Sequence, residues 1–352
     1  MSTYGAGPQN PNQPQVVYVA AVPPPRSLLS RLFGFAQTLF FLFFMLAVLT
    51  AIYSPDSISD DAHNKVEERY HSLNKEGVHK VAIIEVDGTI MDSETVRRQC
   101  EKATADENVK AIVLRVDSPG GTVTASDQMY HYLRKMLTTR KIPLVVSMGG
   151  MAASGGYYIS MACGDEKDVI FAEPTTWTGS IGVIIPHYDV SGLLAKWDVS
   201  EDSIKSGPMK QVGNPARKMT PEERALLQGL VTDSFDRFKS IVEAGRPKFR
   251  GDKAAIEKVT TGAVFSSKQA VELGLVDKIG FLEDAINRAL ELASLQPGTT
   301  KVVEYRKQKT FVDALVGDSA AKARGSELRA LLDLATPRAF YLYAWPGLAS
   351  DK

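Results

Sequence analysis

The sequence predicts an α/β domain with a largely parallel sheet, preceded by one transmembrane helix. Three observations carry that prediction. Apolar, strand-like runs alternate with polar, helix-like runs from Val78 onward; two of the strand-like runs end in glycine-rich turns; and a long segment without charge lies ahead of them. The 352 residues are 44% hydrophobic and 23% charged, which is typical of a globular protein with an ordinary core.

The amino-terminal part is not expected to be globular. Residues 1–25 contain no charged side chain and are rich in Pro, Gln and Asn, so the segment 1–31 is predicted to be a disordered tail. The segment 32–53, LFGFAQTLFFLFFMLAVLTAIY, has no charge. At ~1.5 Å per residue it extends about 33 Å, close to the thickness of a bilayer's hydrocarbon core. The alternative is a cleavable signal peptide, whose apolar region is usually ~7–15 residues and is followed by a small-residue cleavage site. The sequence favours an uncleaved anchor.

Basic residues on either side of the apolar segment predict its orientation. Arg26 and Arg31 lie just before it, whereas Lys65 and Arg69 lie further away on the other side. Because basic residues near a span favour the cytoplasm, we expect a single-pass protein of the cell membrane with a cytoplasmic amino terminus and an extracytoplasmic catalytic domain. The segment 54–77 is polar and is predicted to be a linker helix.

The main domain is expected over residues 78–295, followed by a carboxyl-terminal extension over 296–352. Its first three strands are predicted in HKVAIIEVDGTI, VKAIVLRVDSPGG and IPLVVSM, with helices predicted in SETVRRQCEKATAD and ASDQMYHYLRKMLTTR. This alternation is typical of βαβ units. Sites in such sheets form beyond the carboxyl ends of the strands, where the DSPGG and GGMAASGG turns are expected.

Small residues surround Ser154 in GGMAASGGYYIS. The run AASGG is close to the nucleophile-elbow pattern, in which a tight strand-to-helix turn exposes a serine oxygen. Amides at the start of the following helix and in the neighbouring SPGGT turn could hold an oxyanion. The alternative is that both segments are merely tight turns in a packed sheet.

A nucleophilic serine needs a base, and the residues alone do not identify it. His187 is the histidine that follows Ser154, but its neighbours IIPHYD do not resemble a site. The other histidines lie in the linker or on helix-like runs. A lysine whose pKa is lowered by desolvation is the alternative, and spacing does not choose between the many lysines.

The composition argues against several classes of function. Lysine plus arginine and aspartate plus glutamate are both 41, so no basic excess favours a nucleic-acid partner. Cys100 and Cys163 form no metal-ligand spacing, and the sequence does not say whether they pair. No phosphate-binding GxxxxGK[ST] loop occurs. We therefore expect no metal and no cofactor.

Four ordered motifs resemble one family. DSPGG, GGMAASGGYYIS, TGSIGV and KSGPMKQVGNPARKMTPEE are similar to the signal peptide peptidase A family of membrane-anchored serine–lysine peptidases, over roughly 78–295. The resemblance implies a fold similar to ClpP and the crotonases, with repeated ββα and βαβ units. It also implies that Ser154 is the nucleophile, that Lys210 is the general base and that Ser180 orients the lysine. Apolar neighbours such as Met209 and Val212 could keep the amine unprotonated.

The same resemblance implies an oxyanion hole made by the amide of Gly155 with that of Gly121 or Gly120. Short relatives form homo-oligomeric rings in which the lysine of one protomer serves the serine of the next. The implied activity is the degradation of remnant signal peptides left in the lipid bilayer, so hydrophobic signal peptides are the expected substrates. The resemblance is loose beyond Thr300.

Three alternatives stay open on the sequence. The chain could be a membrane-bound scaffold that binds peptides without cleaving them. Acyl-CoA chemistry, as in crotonases, would need an acidic catalytic residue, for which Asp117 and Asp127 are the nearby candidates. The apolar segment PRAFYLYAWPG near the end could pack on a neighbouring subunit, line a substrate groove or cap its own core.

Overall fold

The computed structural model describes residues 66–307 and 339–342, together with positions 37, 39–43 and 45. The chain divides into two units, Met1–Ser59 and Asp60–Lys352. In the first unit the described positions are helical. The account below concerns the second unit, which contains all of the predicted site residues.

The predicted tail over 1–31 lies outside the described residues, as do most of the predicted anchor over 32–53 and the first part of the linker. Within the part of the chain that the structure describes, no helix combines the length and the hydropathy needed to cross a membrane. The anchor and its orientation therefore stay predictions.

A nine-stranded sheet forms the centre of the domain. Its strands and those of a smaller sheet are β1 (Val66–Leu73), β2 (His79–Asp87), β3 (Val109–Ser118), β4 (Gly120–Thr122), β5 (Leu144–Ala153), β6 (Ile170–Ala172), β7 (Trp177–Gly179), β8 (Val264–Ser266), β9 (Lys278–Ile279), β10 (Thr300–Lys307) and β11 (Phe340–Leu342). The main order is β1-β10-β2-β3-β5-β6-β9, with β7 paired to β5 and β8. All neighbours from β10 to β9 are parallel, which confirms the predicted largely parallel sheet.

Eight helices are described in this unit: α1 (Glu94–Ala105), α2 (Val123–Arg140), α3 (Gly155–Ser160), α4 (Ser191–Lys196), α5 (Pro221–Gly245), α6 (Lys253–Val259), α7 (Ser267–Leu273) and α8 (Leu282–Leu292). Helices α1 and α2 occupy the two runs that the sequence analysis predicted to be helical. The start of α5 is fixed by a capping box, because the Thr220 hydroxyl accepts from the Glu223 amide and the Glu223 carboxylate accepts from the Thr220 amide.

The buried strands explain the continuous apolar runs of the sequence. Every residue from Ala111 to Leu114 in β3 is fully buried, so both faces of the sheet are covered. Helix α8 packs on β3 and β5 through residues such as Ile286 and Leu290. Cys100 lies in α1 and Cys163 follows α3; both are free, and burial raises the pKa of each thiol to about 12.

Two boundaries differ from those expected. The linker over 54–77 was predicted to be helical, but its residues 66–73 form β1, which pairs antiparallel with β10. The extension over 296–352 was predicted to lie outside the domain, but β10 lies between β1 and β2 in the main sheet. The domain therefore extends beyond 78–295 at both ends.

The sheet brings the two glycine-rich turns to one edge. Strands β3 and β5 are parallel neighbours, and Ser118 at the end of β3 is paired with Ala152 near the end of β5. The DSPGG turn and Ser154 therefore lie side by side beyond the carboxyl ends of these strands, as predicted.

Candidate active site

Ser154 lies at the junction between β5 and α3. Its backbone has φ 53° and ψ −114°, a conformation that residues other than glycine rarely adopt. Its amide donates to the carbonyl oxygen of Gly179 at 2.8 Å, and its own carbonyl accepts from the amide of Tyr158 at 2.8 Å. The residue is only 1% exposed. Strain of this kind, held by the surrounding fold, is typical of functional turns.

Three glycines surround this turn at close range. A Cβ added to Gly155 would lie 3.1 Å from the Cα of Gly120 and 3.2 Å from the amide nitrogen of Gly121. A Cβ added to Gly120, whose φ is +97°, would lie 2.6 Å from the amide nitrogen of Gly155. These contacts explain the small residues around Ser154, since a side chain at either position would meet backbone. The structure thus brings together all three glycines predicted for the oxyanion hole.

Ser180 is held beside Ser154 by strand pairing. Strands β5 and β7 are parallel, with Ala153 opposite Gly179, so the two serines follow paired residues. Ser180 also has a positive φ, of 50°, and it is buried. Among the hydrogen bonds within the described residues, none is made by the hydroxyl of Ser154 or Ser180. The described residues therefore supply no hydrogen-bond partner to either hydroxyl.

Lys210 is not brought to Ser154 within the described chain. It lies in a short 3₁₀ turn, Pro208–Gln211, and it is exposed. Within the described residues its ammonium group has no hydrogen-bond or ion-pair partner. The apolar surroundings expected from its neighbours are also incomplete, because Met209 is itself exposed.

Neighbouring side chains nevertheless hold the turn that carries Lys210 in place. The guanidinium of Arg217 donates to the carbonyl of Gln211 at 2.9 Å and forms an ion pair with Glu223, which is only 3% exposed. The hydrogen bond from Arg217 and that from the Thr220 amide hold the pKa of Glu223 at about 2. The Gln211 side chain accepts from Lys205 and donates to Glu201 at 2.7 Å. Lys205 therefore has a hydrogen-bond partner, whereas Lys210 has none among the residues that the structure describes.

The segment before this turn exposes large apolar side chains. Trp197 is 75% exposed and Ile204 is fully exposed. The others in this segment are Tyr188, Val190, Leu193 and Val199. An exposed apolar surface of this kind is typical of a binding interface.

The acidic residues considered for acyl-CoA chemistry are engaged in structural contacts. The carboxylate of Asp117 accepts from the amides of Gly150 and Met151 at 3.2 and 3.0 Å. Asp127 accepts from the Tyr158 hydroxyl and from Arg237. Both candidate acids for acyl-CoA chemistry are therefore already hydrogen-bonded within the protein.

The sequence did not identify one element of the site. Strand β11 pairs antiparallel with β4, with Tyr341 opposite Gly121 and Leu342 opposite Gly120. The signal that could have found it is the apolar run around Tyr341, for which a substrate groove was one of three placements considered. The structure places this run directly against the two glycines of the DSPGG turn.

The part of the chain that carries the candidate site matches known protein families. The sequence pattern of peptidase family S49 matches residues 136–296, and that of Clp protease matches residues 65–176. A Synechocystis protein provisionally named a protease is 40% identical over 242 residues, which is 68% of this chain and 83% of that protein. An Enterococcus faecium protein provisionally named signal peptide peptidase SppA is 37% identical over 64% of this chain and 63% of its own.

Protease 4 of Salmonella typhi is 34% identical over 69% of this chain, which corresponds to 39% of its own length. The largely parallel α/β fold and the matches to Clp protease and to family S49 define a ClpP-like, peptidase class of protein. This chain belongs to peptidase family S49, with relatives of the SppA and Protease 4 type.

Proposed function

We propose that this protein is a membrane-anchored endopeptidase that degrades remnant signal peptides with a serine–lysine dyad. The observation that carries the proposal is the strained, buried turn at Ser154, which lies against Gly120, Gly121 and Gly155. Membership of family S49 and the name of the Enterococcus relative support the peptidase activity and the signal-peptide role.

In the proposed mechanism the neutral amine of Lys210 takes the proton of the Ser154 hydroxyl as its oxygen attacks a peptide carbonyl. The amide of Gly155 and that of Gly121 or Gly120 stabilise the oxyanion. The lysine then protonates the leaving amine, and water hydrolyses the acyl-enzyme. Ser180 holds the lysine amine in position.

We propose further that Lys210 acts in the site of a neighbouring copy within a ring. Its exposure, and the absence of an ammonium partner within the described residues, support this arrangement. The exposed apolar residues Trp197 and Ile204 lie on the same segment, where a contact between copies would bury them. The match to Clp protease also favours an oligomeric assembly.

The proposed membrane location rests on the apolar segment 32–53. A single span there would hold the catalytic domain outside the cytoplasmic membrane and close to cleaved signal peptides. Such substrates are apolar and can bind as extended strands beside a sheet edge.

The test uses the full-length protein in detergent micelles with a quenched fluorescent signal-peptide substrate. We expect Ser154→Ala and Lys210→Ala each to lower kcat/KM by about 1000-fold or more. Lys205→Ala is the matched control: it removes a nearby lysine and is expected to stay within about tenfold of the wild type. Chromatography and circular dichroism would establish that every variant assembles and folds.

The outcomes separate the alternatives. Near-normal activity of Lys210→Ala would mean that the base lies elsewhere. A wild type that folds, assembles and binds the peptide but does not cleave it would favour the non-catalytic scaffold.

A further inference from the structure

Strand β5 contains a bulge of two extra residues just before Ser154. In the parallel pairing of β3 with β5, Val116 lies opposite Met148, but Ser118 lies opposite Ala152, so one residue of β3 corresponds to three residues of β5. Without the two extra residues Ser154 would lie about 7 Å further past Ser118, because a strand rises ~3.3 Å per residue. The bulge therefore determines where the serine lies relative to the DSPGG turn. Bulges beside active sites commonly re-aim a side chain in this way.

The carboxylate of Asp117 fixes this bulge, which spans residues 149–151. One of its oxygens accepts from the amide of Gly150 at 3.2 Å, and the other accepts from the amide of Met151 at 3.0 Å. The same carboxylate occupies the space of a side chain at Gly149, where an added Cβ would lie 2.7 Å from a carboxylate oxygen. A larger residue at this position would therefore displace the carboxylate from the two amides.

Two buried threonines fix the carbonyls on either side of the same bulge. The hydroxyl of Thr176 donates to the carbonyl of Gly149 at 2.6 Å, and that of Thr178 donates to the carbonyl of Ala152 at 2.6 Å. Both threonines are completely buried. The amides of the bulge are thus held by Asp117 from β3, and its carbonyls are held from the side of β7.

Asp117 also begins the DSPGG turn, so it joins the strand of the nucleophile to the glycines of the candidate oxyanion hole. Its carbonyl accepts from the amide of Gly88 at 2.9 Å, and the hydroxyl of the next residue, Ser118, accepts from the amide of Gly120 at 3.1 Å. These bonds hold the turn independently of the bulge. A loosened bulge would therefore move Ser154 relative to the glycines, and a displacement of about 1 Å costs on the order of 100-fold in rate.

We propose that Asp117 is a positioning residue for Ser154. Its carboxylate holds the bulge in the shape that brings the serine hydroxyl and the glycine amides to the same reacting carbonyl. Both carboxylate oxygens accept from backbone amides, so the proposal gives Asp117 no part in proton transfer. It rests on the proposed peptidase function and adds to it a residue that acts through the backbone.

The sign of the expected effect separates positioning from a direct effect of charge. A negative charge near a developing oxyanion disfavours it, so removal of the charge of Asp117 would by itself raise kcat. In Asp117→Asn the side chain keeps its shape, but one acceptor oxygen becomes an NH₂ donor that faces an amide donor. One of the two amides must then move away. Positioning therefore predicts a fall in kcat, whereas charge alone predicts a rise.

The first test compares the steady-state kinetics of full-length wild type and Asp117→Asn on the quenched signal peptide in detergent micelles. We expect kcat to fall by about 10- to 100-fold, with KM changed by less than about threefold. Glu173→Gln is the matched control, since it also replaces a carboxylate by an amide. Glu173 pairs with Arg115 at 2.7 Å, in the part of β3 that pairs regularly with β5. This variant should keep kcat within about twofold, and urea denaturation would establish that both variants fold.

Gly149→Ala perturbs the same contact without changing any charge. Its methyl group would lie 2.7 Å from the Asp117 oxygen, so the carboxylate must leave the two amides. We expect kcat to fall by about tenfold or more, again with KM nearly unchanged. Because both changes break one contact, the double variant with Asp117→Asn should be at most about threefold slower than the slower single variant. Gly298→Ala is the control, since no atom lies within 4 Å of its added Cβ.

The second test needs no peptide. A fluorophosphonate reacts with an activated serine: the serine oxygen bonds to phosphorus, fluoride leaves, and the base takes the hydroxyl proton. Its phosphoryl oxygen uses the same amides as an oxyanion. The rise in intact mass measures the rate at Ser154, and Ser154→Ala should not react. We expect Asp117→Asn to react at least about tenfold more slowly than Glu173→Gln.

The outcomes distinguish this proposal from the proposed function. If the wild type cleaves the peptide and Asp117→Asn keeps its kcat, loses no more than Glu173→Gln, or changes KM alone, the peptidase function stands and the positioning role is overturned. If neither Asp117→Asn nor Gly149→Ala folds, Asp117 serves the fold and the positioning role is likewise overturned. If the wild type cleaves no peptide but its serine reacts with the fluorophosphonate faster than that of Asp117→Asn, the proposed function fails and the positioning role stands. A wild type that folds but does neither overturns both.

Discussion

The amide nitrogen of Ser154 donates to the carbonyl oxygen of Gly179 at 2.8 Å, and this bond joins the two strand ends that carry Ser154 and Ser180. Both serines have a positive φ, near 50°. Since L residues resist that conformation, the paired strands must hold both turns against local strain. The hydroxyls of two adjacent strand ends are thus presented at one edge of the sheet.

Ser180→Ala is expected to lower kcat by about 10- to 100-fold with little change in KM, because the hydroxyl is proposed to position the lysine amine rather than to bind the peptide. Steady-state kinetics on the quenched peptide would measure both parameters. Ser203→Ala is the control, since this serine is exposed and its hydroxyl donates to Glu201. A parallel rise in KM would argue instead that Ser180 contacts substrate.

Co-expression of Ser154→Ala and Lys210→Ala is expected to restore about a quarter of wild-type activity. In a randomly mixed ring with shared sites, about one interface in four joins an intact serine to an intact lysine. Each variant expressed alone should stay inactive. Activity of the mixed, purified oligomer, relative to its composition by mass spectrometry, measures the effect.

No recovery in a demonstrably mixed oligomer would mean that serine and lysine act within one chain. The same chains mixed after purification, without exchange of subunits, are the control and should stay inactive.

The ion pair between Arg217 and Glu223 predicts a loss of stability in acid. The Arg217 guanidinium holds the pKa of Glu223 at about 2, below its ordinary value of 4.5. This carboxylate therefore contributes stability above pH 4.5, and the contribution is lost as the pH falls toward 2. Urea denaturation between pH 5 and pH 3 should show a steeper loss for the wild type than for Glu223→Gln.

Arg217→Gln is the partner variant, and it should flatten the same pH dependence because it breaks the same pair. It should also lower kcat, since Arg217 anchors the carbonyl of Gln211 next to Lys210. A pH dependence unchanged in both variants would show that the pair does not govern stability in this range.

A second ion pair is expected to matter for global stability. Arg246 contacts Asp277 at 2.7 Å, with both side chains at most 13% exposed, and the Asp277 carboxylate also accepts from the amides of Val169 and Ile170 at 2.9 Å. Burial alone would raise the pKa of Asp277, but the hydrogen bond and charge of Arg246 lower it overall.

Asp277→Asn should reduce the free energy of unfolding by about 3–5 kcal/mol, because it leaves the Arg246 charge buried without its counter-ion. The exposed pair of Lys253 and Glu257, 3.8 Å apart, supplies the control. Lys253→Ala should change stability by less than about 1 kcal/mol. Equal effects in the two variants would contradict this account.

Local pattern predicted most of the parallel core. The stretches 81–84, 111–114 and 144–146 are apolar and buried because both sheet faces are covered, and this pattern is visible in the sequence. The clustered glycines beside Ser154 were also predictable, since their cause is local crowding of backbone.

Elements that depend on distant partners were not predictable in the same way. Strand β1, VEERYHSL, is polar and resembles a helix until β10, more than 200 residues later, pairs with it. Strand β11 likewise depends on β4, which is only three residues long. The contact proposed between Lys210 and a serine of a neighbouring copy would depend on assembly, and a single chain carries no local pattern for such a contact.

The close approach of Gly155 to the DSPGG turn gives the sharpest test of the oxyanion hole. In Gly155→Ala the new Cβ would lie 2.5 Å from the Ser126 oxygen and 3.1 Å from the Cα of Gly120. Either the Ser126 side chain or the glycine backbone must move. We expect kcat/KM to fall by about 100-fold or more, the loss typical of a displaced oxyanion donor.

Gly229→Ala is the matched control, because this glycine lies within α5 and has no atom within 4 Å of an added Cβ. It should keep full activity and gain about 0.5–1 kcal/mol in stability. The double variant Ser126→Ala with Gly155→Ala removes the 2.5 Å contact but leaves the backbone contact at Gly120. It should therefore regain stability more completely than activity, as measured by urea denaturation and peptide cleavage. Full recovery of both would mean that the loss came from Ser126 and that the amides of Gly155 and Gly120 do not need this spacing.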